Sequence, residues 1–173
     1  INERIAPDNS GTVADFGFTP LHYAAYKGNP TIIQMLVDFG ANIYATNDQE
    51  MNMLHAAAQG DQPFSASFFR RMGICVNSRD QGLATPLHWA CISQSRVVVQ
   101  YLLAWDAEVN AQDATGLTPL HMAVKVAETK EDVSTIKKLI FKGANTDIED
   151  NWGLKPVDYT REIHDERVRR KVQ

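Results

Sequence analysis

One tetrapeptide recurs at a fixed interval. Thr19-Pro20-Leu21-His22 is followed by Asn52-Met53-Leu54-His55, Thr85-Pro86-Leu87-His88 and Thr118-Pro119-Leu120-His121, each 33 residues after the last. A degenerate fifth copy, Lys155-Pro156-Val157-Asp158, comes after a step of 37. A second marker keeps the same phase: Gly40, Gly73, Asp106 and Gly143, at steps of 33, 33 and 37. Two independent markers with one period exclude most folds at once. A chain built this way is an array of like units, each meeting its neighbours through the same surfaces.

Each unit reads as two helices and a loop. Thr19 is a good N-cap, because its hydroxyl can accept a bond from an orphan amide of the first turn. Pro20 then stands at the first helical position, where its missing N–H costs nothing. Leu21, Ala24 and Ala25 give a short helix with a small-residue face that another helix can approach closely. Asn29-Pro30 opens a second helix, Ile32, Ile33, Leu36 and Val37 form its apolar stripe, and Gly40 ends it. The third unit repeats the pattern with Ser95 as cap and Val98, Val99, Leu102 and Leu103 as stripe. The fourth uses Asp132 as cap with Ile136, Leu139 and Ile140. Polar stretches with turn chemistry, such as 110–116, join the pairs as hairpin-like loops. Such a unit has apolar flanks on both sides and is stable only when stacked.

The period of 33 with Thr-Pro-Leu-His-x-Ala resembles the ankyrin repeat, as do Gly-Ala-Asn at 40–42 and 143–145 and Val109-Asn110-Ala111-Gln112-Asp113. The resemblance covers roughly residues 15–173. It implies an all-α repeat solenoid, an ankyrin stack with repeats at about 15–47, 48–80, 81–113 and 114–150 and a partial capping repeat at 151–173. Residues 1–14 match no unit and read as a linker or the remnant of a preceding repeat; a chain opening on Ile1 is expected to be a piece of a longer one. The resemblance further implies that loops and first helices line one concave face. Stacks similar to this one, with Trp89 in Thr-Pro-Leu-His-Trp-Ala, precede Asp-His-His-Cys palmitoyltransferase domains, kinases and channels. It also implies that asparagines such as Asn77 and Asn110 could be substrates of an asparagine hydroxylase.

Departures from the pattern carry their own expectations. In the second unit Asn52-Met53 replaces Thr-Pro, so a preset first turn is lost, and Ser65 and Ala66 replace the apolar pair of the other copies, with Phe64, Phe68 and Phe69 to refill the volume. A soft joint is expected there. Gly82 lies one residue earlier than Gly17 and Gly116 suggest, so the third loop tip should differ. Four extra residues between Thr118 and Asp132 either lengthen a helix by about one turn or loosen a loop. Arg167, Arg169, Arg170 and Lys171 give the last unit a polar outer surface that suits a cap.

Chemistry has little support. His22, His55, His88 and His121 sit at equivalent places in successive units, on the order of 10 Å apart as packed helices require. One metal needs its ligands within about 2 Å, so each histidine is expected to bond its cap hydroxyl and nearby loop backbone instead. No nucleophile motif, phosphate loop or CxxC pair is present, and Cys75 and Cys91 lack an activating neighbour. The reading is a non-catalytic monomer with no cofactor and no metal. A net charge of −4 gives no reason to bind nucleic acid, and no run of 18 apolar residues exists to insert in a bilayer. With two cysteines and no disulfide framework, the expected location is cytoplasmic, including the cytoplasmic side of a membrane protein.

The expected partner is another protein or peptide. The position before the cap holds Phe18, Met51, Ala84, Leu117 and Leu154, mostly large and apolar; in ankyrin repeats it lies at the loop tip. Phe16, Tyr26, Ile92, Val126 and Trp152 occupy neighbouring loop and helix-end positions. An exposed row of this kind marks an interaction face. The alternative is that these side chains fold back over the loop bases. Thr19, Pro20, His22, His55, Thr85, His88, Thr118 and His121 are assigned to structure. Trp89 is expected to pack between units.

Overall fold

A computed structural model describes residue 2 and residues 17–130 and 133–162. Eight α-helices follow one another in pairs among these residues: α1 (Pro20–Lys27) and α2 (Pro30–Asp38), α3 (Met53–Gln59) and α4 (Pro63–Arg71), α5 (Pro86–Ile92) and α6 (Arg96–Ala104), α7 (Pro119–Lys130) and α8 (Ser134–Phe141). A 3-10 segment, Pro156–Glu162, closes the described chain. The first helices form one layer, in which α1 packs on α3, α3 on α5, α5 on α7 and α7 on the 3-10 segment. The second helices form another, with α4 on α6 and α6 on α8. The order of packing is the order of the chain, so the core is a seam repeated along one axis.

Small residues set the spacing of the first layer. Ala56, Ala57 and Ala58 of α3 and Ala90 of α5 are buried, and Leu21, Leu54, Leu87 and Leu120 fill the gaps between helices. At Gly60 a Cβ would stand 2.1 Å from the carbonyl oxygen of Tyr26, so only glycine lets α3 end this close to α1. Phe69 replaces the missing apolar pair of the second unit and is wholly buried, beside the equally buried Ser65 and Ala66; Phe64 stays exposed.

Several sequence expectations change. Asn52 does not cost the second unit its first turn: its side chain accepts from the amides of Leu54 (3.0 Å) and His55 (3.2 Å), completing a capping box. The weakness lies in α4, whose cap position Gln62 makes no side-chain cap bond. Ser95 occupies the cap position of α6 without capping it; Asp61 of the preceding unit does so, its Oδ1 accepting from Val97 (3.1 Å) and Val98 (2.9 Å). For α8 the cap position is Val133, and Asp132 lies outside the described residues. The extra residues of the fourth unit extend α7 to 12 residues, against 7 in α5. The third loop tip keeps the common backbone although its glycine is misplaced: Leu83 takes the left-handed conformation (φ 60°) that Gly17, Gly116 and Gly153 take in theirs. Residues 1 and 3–14 and the basic run 167–171 lie outside the described residues.

Candidate protein-binding face

The loops are built on a residue that the tetrapeptide hid. Asn47, Asp80, Asp113 and Asp150 recur at steps of 33, 33 and 37. Each backbone amide donates to a carbonyl four residues on, in Met51, Ala84, Leu117 and Leu154, at 2.9–3.0 Å. Each side chain accepts the amide of that same residue, at 2.8–3.0 Å. The result is a tight hairpin with an internal brace. The hairpins then stack: the amides of Gln81, Ala114 and Asn151 donate to the carbonyls of Gln49, Gly82 and Thr115 at 2.8–3.0 Å. The same periodicity test that found the histidines, applied to Asn/Asp, finds these residues in the sequence.

The four histidines lock each hairpin to the unit before it. Nε2 of His22, His55, His88 and His121 donates to the carbonyls of Met51, Ala84, Leu117 and Leu154, at 3.0–3.2 Å. A carbonyl only accepts, so the proton is on Nε2. Nδ1 is therefore free to accept, and does so from the amides of Thr19, Asn52, Thr85 and Thr118 at 3.0–3.2 Å. It also meets the Thr19, Thr85 and Thr118 hydroxyls at 2.8–2.9 Å. A second proton on Nδ1 would face an N–H; at His55 the Asn52 Oδ1, at 2.9 Å, also adjoins that nitrogen. Burial pushes the His55 imidazole down to about 4, and it lowers His88 and His121 as well. The expected bonds to cap and loop backbone are present, and these rings are structural.

The row before the cap requires correction. Phe18, Met51 and Leu117 are buried, and cannot form an exposed stripe. The Met51 and Leu117 carbonyls are bonded to His22 and His88 inside the seams between units, which draws the side chains in as well, and Phe18 stacks on His22 with centroids 5.2 Å apart. Replacing Met51 would open a cavity rather than alter a surface. Tyr26 and Val126 are half-buried, whereas Ile92, Leu154 and Trp152 are exposed, Trp152 by 66%. Phe16 lies outside the described residues.

A different surface emerges beside the hairpins. Trp89 is half-buried, and its indole Nε1 donates to Asp80 Oδ2 at 2.7 Å. Tyr159, at the equivalent place in the last unit, donates to Asp150 Oδ2 at 2.5 Å. This bond turns the Trp89 ring toward its hairpin. The ring lines a groove of about 460 Å³ with Ile92, Met122, Ala84, Gln81 and Thr115. The ionisable groups that line it are committed to the scaffold. Asp80 also holds the Ala84 amide, Asp113 accepts from the Thr115 and Leu117 amides, and His88 holds Leu117. What remains is an apolar floor with amide and hydroxyl rims, suited to holding an apolar segment. Cys91 is buried, which pushes its thiol up and leaves it unreactive. Among the described residues no three His, Cys, Asp or Glu side chains are grouped to hold a metal, and no helix is long and apolar enough to cross a membrane.

Helical pairs stacked in chain order, with braced hairpins along one side, define an all-α repeat solenoid. Comparison with known proteins gives the particular kind. The family description "Ankyrin repeats (many copies)" matches residues 21–69, and "Ankyrin repeats (3 copies)" matches residues 72–150. The chain belongs to the ankyrin-repeat family, whose repeats are protein-interaction units. It is 30% identical over 131 residues to palmitoyltransferase AKR1 of Lachancea kluyveri, covering 73% of this chain and 17% of that protein. It is 31% identical over 148 residues to the probable 26S proteasome regulatory subunit p28 of Saccharomyces cerevisiae, covering 83% of this chain and 63% of that one. Inversin of Canis lupus familiaris is 29% identical over 136 residues, which is 78% of this chain and 12% of inversin. The chain thus spans less than two thirds of each of these relatives.

Proposed function

We propose that this chain is a non-catalytic interaction module that captures an extended apolar segment of another protein in the groove between α5, α7 and their hairpins. The observation that carries the reading is Trp89: a large ring kept half-exposed by its bond to Asp80, beside Ile92 and Met122. Large apolar anchors on a pre-ordered surface supply most of the energy of such contacts, because little has to be ordered on binding. Trp152 and Leu154 continue the exposed apolar surface toward the last hairpin. Ile92 is exposed, so Ile92→Ser leaves the stack intact. Random peptides selected on the purified chain should carry large apolar residues, and should bind Ile92→Ser at least about tenfold more weakly. Selected peptides that bind both proteins equally would remove the groove from the account.

A second reading rests on the likeness to AKR1 and, at 25% identity over 155 residues, to putative palmitoyltransferase ZDHHC13 of Danio rerio. The same groove would then recruit or position substrates for a membrane enzyme carried on the same polypeptide. The full-length coding sequence tests this: several apolar spans with a cysteine-rich loop containing Asp-His-His-Cys support it, and their absence contradicts it.

A further inference from the structure

Charge is segregated across the stack. The stretches 63–72, 96–105 and 134–142, which hold α4, α6 and α8, contain Arg70, Arg71, Arg96, Lys137, Lys138 and Lys142 and no Asp or Glu. The hairpin side carries Asp48, Glu50, Asp80, Asp113, Asp147, Glu149 and Asp150. The net charge of −4 therefore conceals a basic outer edge. Among the described residues the acids nearest that edge in sequence are Asp38, which ends α2, Asp61, which precedes α4 and caps α6, and Asp106, which follows α6; Glu108 is engaged by Arg79 at 3.6 Å.

The same edge exposes large apolar side chains. The second helices end at equivalent positions on Phe39, Met72, Trp105 and Lys142. Phe39 is 70% exposed, Met72 and Tyr101 are exposed, and Phe141 is 89% exposed. Phe141 follows Lys137 and Lys138 by one helical turn and precedes Lys142. Lys138, Phe141 and Lys142 border a depression of only about 140 Å³ over Gln100 and Leu103, so this edge offers projecting points rather than a slot. The helix dipole accounts for the cations in the last turns of α4 and α8. It does not account for a phenyl ring standing in water between lysines.

We propose that the edge formed by the C-terminal ends of α4, α6 and α8 docks on an anionic phospholipid surface. Phe141 enters the headgroup layer, and Arg70, Arg71, Lys137 and Lys142, all exposed, meet the lipid phosphates; half-buried Lys138 donates to the Arg96 carbonyl at 3.4 Å and ties α8 to α6. Interleaved cations and projecting aromatic rings are the chemistry of interfacial membrane binding. A flat anionic sheet matches a ridge without a pocket better than a folded protein does. The site is separate from the Trp89 groove, so the two stand or fall independently.

The test is co-sedimentation of the purified chain with vesicles. Sedimentation is expected with phosphatidylcholine containing about 30% phosphatidylserine, and not with phosphatidylcholine alone. It should fall severalfold in about 0.5 M salt as the surface charge is screened. Phe141→Ser and the pair Lys137→Gln, Lys142→Gln should each reduce it by about tenfold, while Ile92→Ser leaves it unchanged. Circular dichroism checks that each variant is folded, and exposure of Phe141 keeps that variant informative. Failure to sediment with the anionic vesicles overturns the proposal. So does loss in the lysine variant with full binding by Phe141→Ser, which would leave charge attraction alone with no ring in the headgroup layer.

Discussion

At the residue scale, one side chain per unit decides how the stack holds together. His22, His55, His88 and His121 each use both ring nitrogens, and burial favours the neutral form of His55, His88 and His121. This gives a pH dependence with a definite sign. The unfolded chain takes up protons on histidine near 6.5, whereas buried His55 resists until about 4. Below 6.5 the unfolded state therefore binds more protons, and stability falls with falling pH across the window down to about 4. His55 alone should remove about 2 kcal/mol on going from about pH 7.5 to about pH 5, and the lowered His88 and His121 add to the loss. Urea unfolding at the two pH values measures it; a midpoint that stays level or rises on acidification contradicts the histidine account. Leu83 supplies a second residue-scale prediction. Its φ of 60° is costly for any residue with a Cβ, by roughly 1–2 kcal/mol. Leu83→Gly should thus be more stable than Leu83→Ala by about 1 kcal/mol, the reverse of the usual order of glycine and alanine. Equal urea midpoints for the two variants would show that the hairpin carries no such strain.

At the element scale, the helices were largely legible and their ends were not. Pro20, Pro63, Pro86 and Pro119 each open a helix because a first-turn residue needs no amide partner, and that signal is local. The cap of α6 was misread because it comes from Asp61, in the preceding unit, and no local pattern points across a seam. The row before the cap was misread for the same reason. Large apolar residues at a loop tip suggest exposure, but Met51 and Leu117 are drawn inward by His22 and His88 of the preceding unit. Trp89 was read as packing alone, because its bond to Asp80 links positions nine apart that the repeat signature does not join. Capping also ranks the elements. α4 has no side-chain cap bond, whereas α6 has two amides held by Asp61; among the described residues the buried Ser65 and Ser95 hydroxyls both lack a partner, so the cap alone separates the two helices. Amides of 62–72 should exchange with deuterium faster than those of 95–105. Equal protection would mean that Phe69 packing makes good the missing cap.

For the whole molecule, the period of 33 carried the architecture further than any other signal. Identical seams stacked along one axis leave few alternatives for where each helix goes, so fold and family both follow from spacing. The binding surface was less accessible, because which face of a repeat stays open depends on side chains gathered from two or three units. The central claim is that cohesion passes only between neighbours, with His-to-hairpin bonds and buried leucines in each seam. Native-state hydrogen exchange on His121→Ala tests it most directly. That substitution removes the tie to Leu154 and the ring packed against Tyr159. A neighbour-coupled stack predicts lost protection in α7, α8 and 156–162 with α1 and α2 protected as before. Uniform loss of protection from α1 to the last segment would contradict it, since it would mean that the units share one indivisible core.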